Sequence, residues 1–339
     1  MTEIGAATLE TMRQGWYENR RENRMAASFL KTATVLALAL APPMAGQQPP
    51  PSPEQRAITF LAGEVPRWSQ ENHCFSCHNN GDGARALYAA RQNGFPFPEG
   101  ALTETTRWLV TPGNWDSGPQ NPAFNDRKLI RVQFAAALAG AYAAGLVQER
   151  QPLIEAAGSL LPFQEADGSW QVRGNSPVGS PATYGPVLAS YLARRSLEQA
   201  DPVRFAEAIA RANRWLASAH AESNVDTAAL VLALPGGSPA GREHLRNLLA
   251  AQNGDGGWGP HAANPSEVFD TAIALLALNN LAEKPQRAIA VGRQFLLTEQ
   301  LASGGWPETT RPSGGTSYAQ HVSTSAWATM ALLATQSER

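Results

Sequence analysis

Past residue 53 the chain carries segments rich in alanine and leucine on nearly every helical face. Residues 129 to 145, the ALVLAL run after Ala228 and the IALLAL run after Ala272 are the clearest. A helix that is apolar all round is predicted to be buried. Each such segment follows another helical stretch, marked by Phe60-Leu61, Trp108-Leu109 or Arg214-Trp215-Leu216. A glycine-rich turn and a loop are expected between the two. The pattern predicts six helix pairs between residues 54 and 335, an all-α chain.

The pairs share a motif. Leu160-Leu161, Gln164, Gly168, Ser169 and Trp170 align without gaps on Leu248-Leu249, Gln252, Gly256, Gly257 and Trp258. They align equally on Leu296-Leu297, Gln300, Gly304, Gly305 and Trp306. Such internal periods signal repeat architecture. The first helix is expected to end at the Gln, the glycines to supply the turn, and the Trp to pack back onto the helix end. A second motif opens the second helix: Asp226-Thr227-Ala228, Asp270-Thr271-Ala272 and a degenerate Thr324-Ser325-Ala326. Ser223 with Asp226 reads as a capping box, and Asn264-Pro265-Ser266-Glu267 as a cap with Pro in the first turn.

The Q-x3-G-[GS]-W repeats resemble the QW repeats of the squalene cyclase and protein prenyltransferase superfamily. The likeness is strong in 148–335 and weaker in 54–147. It implies an α/α toroid of six helical hairpins over 54–339, whose central cavity opens where the inner helices begin. It gives the scaffold rather than the reaction, with an apolar or isoprenoid small molecule as a partner the cavity would suit. The sequence departs from the family's chemistry, however. It has no D-x-D-D acid motif and no D-D-x-x-D motif, and no cysteine outside Cys74 and Cys77 for a zinc site. Asp226 and Asp270 stand where the family places cavity residues and are the candidate catalytic acids. Helix capping and dipole compensation is the other reading of both. Tyr184 occupies a comparable position, with packing or capping as its expected role.

Residues 1–45 read as an export leader. Arg20, Arg21 and Arg24 precede an apolar run at 32–41, which Pro42-Pro43 ends. The run is too short to span a bilayer and suits a signal peptide. Met25 is an alternative start. A Pro-rich linker at 46–53 follows, and no transmembrane segment is expected in the mature chain. The expected compartment is the periplasm or the extracellular space. A net charge of −2 gives no electrostatic footprint for nucleic acid.

In that compartment the two cysteines gain a specific meaning. Cys74-Phe75-Ser76-Cys77-His78 has the C-x-x-C-H spacing of covalent haem attachment. Two thiols would reach the porphyrin vinyl groups, and His78 would fall under the iron. The segment is expected on the cavity-mouth face, not buried between the rings. His321, expected in a loop of the neighbouring last unit, is the candidate distal ligand. A disulfide, or zinc held with His73, is the rival reading. On this sequence the leading expectation is an exported haem c protein on a cyclase-like toroid, transferring electrons with a periplasmic redox partner or doing haem chemistry on an apolar ligand. A divergent terpenoid cyclase or prenyltransferase-like enzyme, and a non-catalytic lipid- or protein-binding toroid, are the alternatives.

Overall fold

The computed structural model describes residues 50–115, 127–172, 184–309 and 317–336. The leader expected at 1–45 lies outside them. Twelve α-helices alternate between an outer and an inner set, with no strand among the described residues. The outer helices are α1 (Pro53–Asn72), α3 (Gly100–Leu109), α5 (Gln151–Gly158), α7 (Ala206–Ser218), α9 (Pro239–Ala250) and α11 (Gln286–Glu299). The inner helices are α2 (Ala84–Gln92), α4 (Arg127–Ala143), α6 (Gly185–Ala200), α8 (Asn224–Ala233), α10 (Val268–Asn279) and α12 (Tyr318–Ala334). A π-helix, Cys77–Gly83, runs directly into α2. Each inner helix packs on the next, and α12 packs on the π-helix and α2, so the inner ring closes. The expected toroid of six hairpins is present.

Burial separates the two sets. In α7 only Ala208, Ala212 and Leu216 are buried, one stripe at a spacing of four. In α12 every residue from Ala319 to Leu333 is buried. Alanines let the inner helices approach closely while the larger side chains fill the space between rings. Ser52, Ser223, Ser238 and Ser317 cap helix starts, each accepting a backbone N–H three residues on. The cap expected at Asn264 does not form. Helix α10 begins at Val268, after Glu267 has paired with Trp258 through its backbone N–H (2.9 Å). The loop closes on its own backbone first and so delays the helix start by a turn.

The QW turns join three helices each. Trp170, Trp258 and Trp306 are fully buried and donate their indole N–H to the carbonyls of Leu160, Leu248 and Leu296. Their backbone N–H groups donate to hydroxyls on the inner helices, Ser190, Thr271 and Ser325. This explains the hydroxyl residue in the second motif at Thr271 and Ser325. Gln164, Gln252 and Gln300 then donate to Ala208, Ala288 and Pro53 on the next outer helix. The motif glycines have φ of +99°, +90° and +94°, and a Cβ on any of them would strike a backbone carbonyl of that next helix. Only glycine meets both demands.

Candidate functional site

The N-terminal halves of the inner helices bring a set of buried polar groups together. Asp82 is the last residue but one of the π-helix and is 1% exposed. Its carboxylate accepts from the Tyr184 hydroxyl, from the Ser323 hydroxyl and from Gln133 Nε2 at 3.0 Å. Gln133 Nε2 also donates to the Tyr184 oxygen at 2.8 Å. Asp82, Gln133, Tyr184 and Ser323 come from four different hairpins. Tyr184 reaches across the ring to make this bond. Its ring stacks on Phe269 (6.4 Å) and meets Trp327 edge-on (5.6 Å), and Phe269 meets Trp327 edge-on at 6.1 Å. The carboxylate held by three donors is thus tied through the Tyr184 hydroxyl to a cluster of three aromatic rings.

Of the two expected acids, Asp226 lies close to the chain beside Tyr184, and Asp270 is the chain neighbour of Phe269. Asp226 and Asp270 are the third residues of α8 and α10, adjacent inner helices, and both are buried. Asp226 shares the capping box predicted for it. Its backbone N–H donates to Ser223 Oγ (3.1 Å), and its carboxylate accepts from the backbone N–H of Glu222 (3.1 Å). It also faces the chain next to Tyr184, since a Cβ on Gly185 would lie 3.6 Å from its Oδ1. Burial pushes the Asp226 carboxyl above the usual carboxylate range, against the hydrogen bonds from Ser223 and Glu222. Asp270 follows Phe269, whose ring stacks on Tyr184. The capping role expected of Asp226 is the one its hydrogen bonds show.

Asp82, Gln133 and Ser323 were not among the expected site residues. Asp82 stands in Asn79-Asn80-Gly81-Asp82-Gly83, where its residue type is also that of an ordinary turn. Gln133 and Ser323 were visible as polar interruptions of apolar inner segments, the one signal that could have found them.

The Cys74–His78 segment differs from expectation. His78 through Gly83 are buried in the π-helix, so the segment is not an open feature of the mouth. The His78 imidazole packs between the rings, edge-on to Trp68 of outer helix α1 (5.1 Å) and to Tyr318 of inner helix α12 (5.8 Å). Burial pushes its pKa down to about 3, so the ring is neutral. His321 lies within α12, not in a loop, and meets Phe60 edge-on at 5.2 Å. Cys74 and Cys77 are both unbonded to each other and half-buried. Among the described residues no group of three or more His, Cys, Asp or Glu side chains is placed to hold a metal ion. None of the helices described is long and apolar enough to cross a membrane.

No family model matches the sequence. The chain is 32% identical over 178 residues to drimenyl diphosphate synthase of Streptomyces showdoensis, across 47% of this chain and 32% of that protein. The chain thus spans about a third of the length of this curated relative. Among solved structures, the type II terpene cyclase MstE from Scytonema superposes with a TM-score of 0.50 at 13% identity, over 83% of this chain and 98% of that one. The ent-copalyl diphosphate synthase of Streptomyces platensis gives 0.49 at 19% identity, over 74% of this chain and 50% of that one. The chain shares its α/α toroid fold with MstE. The leading expectation, an electron-transferring haem c protein, is corrected by these relatives. Its motif is part of the wall of the toroid, where His78 is packed between Trp68 and Tyr318.

Proposed function

We propose that this chain is a terpenoid cyclase-like enzyme that protonates an isoprenoid alkene held inside the ring. Asp226 is the proton donor, and Asp270, in the same position of the adjacent inner helix, is its partner in the site. The observation that carries this reading is the Asp226 carboxyl. It is buried at an inner-helix start beside the aromatic cluster, in surroundings that favour its protonated form. An acid that must give a proton to a carbon–carbon double bond has to carry that proton when the alkene arrives.

The step balances simply. The π electrons of the alkene take the proton from the Asp226 carboxyl, leaving a carboxylate and a carbocation on the more substituted carbon. The faces of Tyr184, Phe269 and Trp327 supply quadrupoles that attract the cation. Their apolar enclosure keeps water from trapping it early. The similarity to drimenyl diphosphate synthase supports a prenyl chain as the substrate.

Incubation of the purified chain with farnesyl diphosphate, geranylgeranyl diphosphate and squalene tests the reading. Products are dephosphorylated where needed and resolved by gas chromatography with mass spectrometry. A cyclised product that disappears in Asp226→Asn, with the fold retained by circular dichroism, is the expected result. Absence of any cyclised product from all three substrates overturns it.

A further inference from the structure

A cavity of about 350 Å³ lies between outer helix α7 and the C-terminal end of inner helix α8, the end opposite Asp226. Leu216 and Ala217 of α7, with Leu234 and Pro235 just past α8, form its apolar wall. Arg194 of α6 and Asn213 of α7 are its polar side chains. The volume is at the lower end of the range for small-molecule sites.

The repeat explains why space is left here. Gln164 docks on Ala208 of α7 as Gln252 docks on Ala288 of α11, so Asn213 and Arg293 hold the same place on their helices. Arg293 reaches the inner helix of its own hairpin and donates to the Leu332 carbonyl near the end of α12. The Asn213 side chain is too short for that reach. Ala233, the last residue of α8, has its carbonyl bonded from the other side, by Arg194 Nη1 at 3.1 Å.

That leaves the Arg194 guanidinium partly unused. Nη1 also donates to Asn213 Oδ1 (2.8 Å). Nε lies 3.5 Å from the Glu198 carboxylate without forming a hydrogen bond, and Nη2 has no acceptor among the described residues. Arg194 is 9% exposed, so bulk water serves this edge poorly. Its charge is already matched by Glu198, and the carbonyl end of α8 adds negative partial charge to the wall. A second anion is therefore disfavoured. The lining suits a mostly apolar, uncharged molecule with one acceptor oxygen.

We infer that this cavity is a binding site for a compact neutral ketone or alcohol. The oxygen accepts from Arg194 Nη2, and the hydrocarbon lies against Leu216, Ala217, Leu234 and Pro235. The site is separate from the cluster around Asp82 and does not depend on the role given to Asp226.

Calorimetric titration of the purified chain with cyclooctanone and with cyclooctanecarboxylate at neutral pH tests this. The ketone is expected to bind saturably, and roughly fivefold or more tighter than the carboxylate. Ala217→Trp, at an exposed position of the wall, fills the cavity and is expected to abolish binding. Arg194→Met keeps the apolar stem and is expected to weaken ketone binding roughly three- to tenfold. Melting curves check that both variants are folded, and Ala217→Trp decides alone if Arg194→Met is not. The proposal is overturned by a ketone that does not bind saturably, by binding that survives Ala217→Trp, by an affinity unmoved in folded Arg194→Met, or by a carboxylate that binds as tightly as the ketone.

Discussion

Gln300 donates its side-chain amide to the backbone carbonyl of Pro53 at 2.9 Å, joining the last QW turn to the first residue of α1. Arg56 returns a bond to Gln300 Oε1. The same tie links the third hairpin to the fourth through Gln164, Ala208 and Arg211. The motif that joins neighbours within the chain therefore also closes the ring between its two ends.

Gly304 sits at that seam with φ +94°, and a Cβ there would come within 2.3 Å of the Arg56 carbonyl oxygen. Gly304→Ala is expected to destabilise the fold by about 3 kcal/mol, from backbone strain and the clash together. Urea denaturation followed by circular dichroism measures it. Gly63→Ala, at a helix position with open space around it, is the control and should be neutral or stabilising.

A part-buried ion pair lies beside the seam. Arg293 of α11 bonds the Glu54 carboxylate in the first turn of α1, and also the Leu332 carbonyl at 2.6 Å. Burial pushes the Glu54 carboxyl up, but its backbone hydrogen bond and the Arg293 guanidinium outweigh this and hold it below the usual range. A depressed carboxyl stabilises the fold above its unfolded pKa, and that stability is lost as the pH falls through the folded value. Glu54→Gln should cost about 3 kcal/mol at neutral pH, because Arg293 is left without its counter-charge. Thermal melts from neutral pH to pH 3 should show the variant and the parent converging.

Asp226 has the opposite sign. Burial raises its folded pKa above that of a free aspartate, so the folded state binds the extra proton in the window just above the free value. Stability therefore falls as the pH rises through that window. Asp226→Asn keeps an acceptor for the Glu222 N–H and removes the titration. It should match the parent at low pH and be more stable at neutral pH, while losing the proposed activity. Melts of both proteins across pH 3 to 8 check the first expectation. A gain in stability with a loss of turnover is the pattern of a strained functional acid.

Tyr184 links hairpins that are not neighbours in the ring. Tyr184→Phe removes the hydroxyl that donates to Asp82 and accepts from Gln133, while the stacking on Phe269 remains. The expected loss is about 1 to 3 kcal/mol, since two buried polar partners are left short of a bond. Hydrogen exchange should show faster opening of α6 in this variant.

The helix pairs, their number and the QW turns were legible because each rests on local chemistry repeated along the chain. Gln300, Gly304 and Trp306 declare the same turn as Gln164, Gly168 and Trp170. The Asn264 cap misled because a nearby alternative existed, the Trp258–Glu267 backbone pairing, which no local pattern ranks. Cys74 to His78 misled for a related reason. The spacing of two thiols and an imidazole is a local fact, whereas the rings of Trp68 and Tyr318 that enclose His78 arrive from α1 and α12.

The sequence by itself determined the repeat, the division into apolar inner and amphipathic outer helices, and the placing of Asp226 and Asp270 at inner-helix starts. Periodicity and capping act within a few residues, so one dimension holds them. Only the tertiary structure decided that Asp82 meets Gln133, Tyr184 and Ser323. Those partners are separated by 51, 102 and 241 residues for Asp82. Ring closure alone brings them together, and burial then makes each polar group depend on whatever the closed ring places beside it.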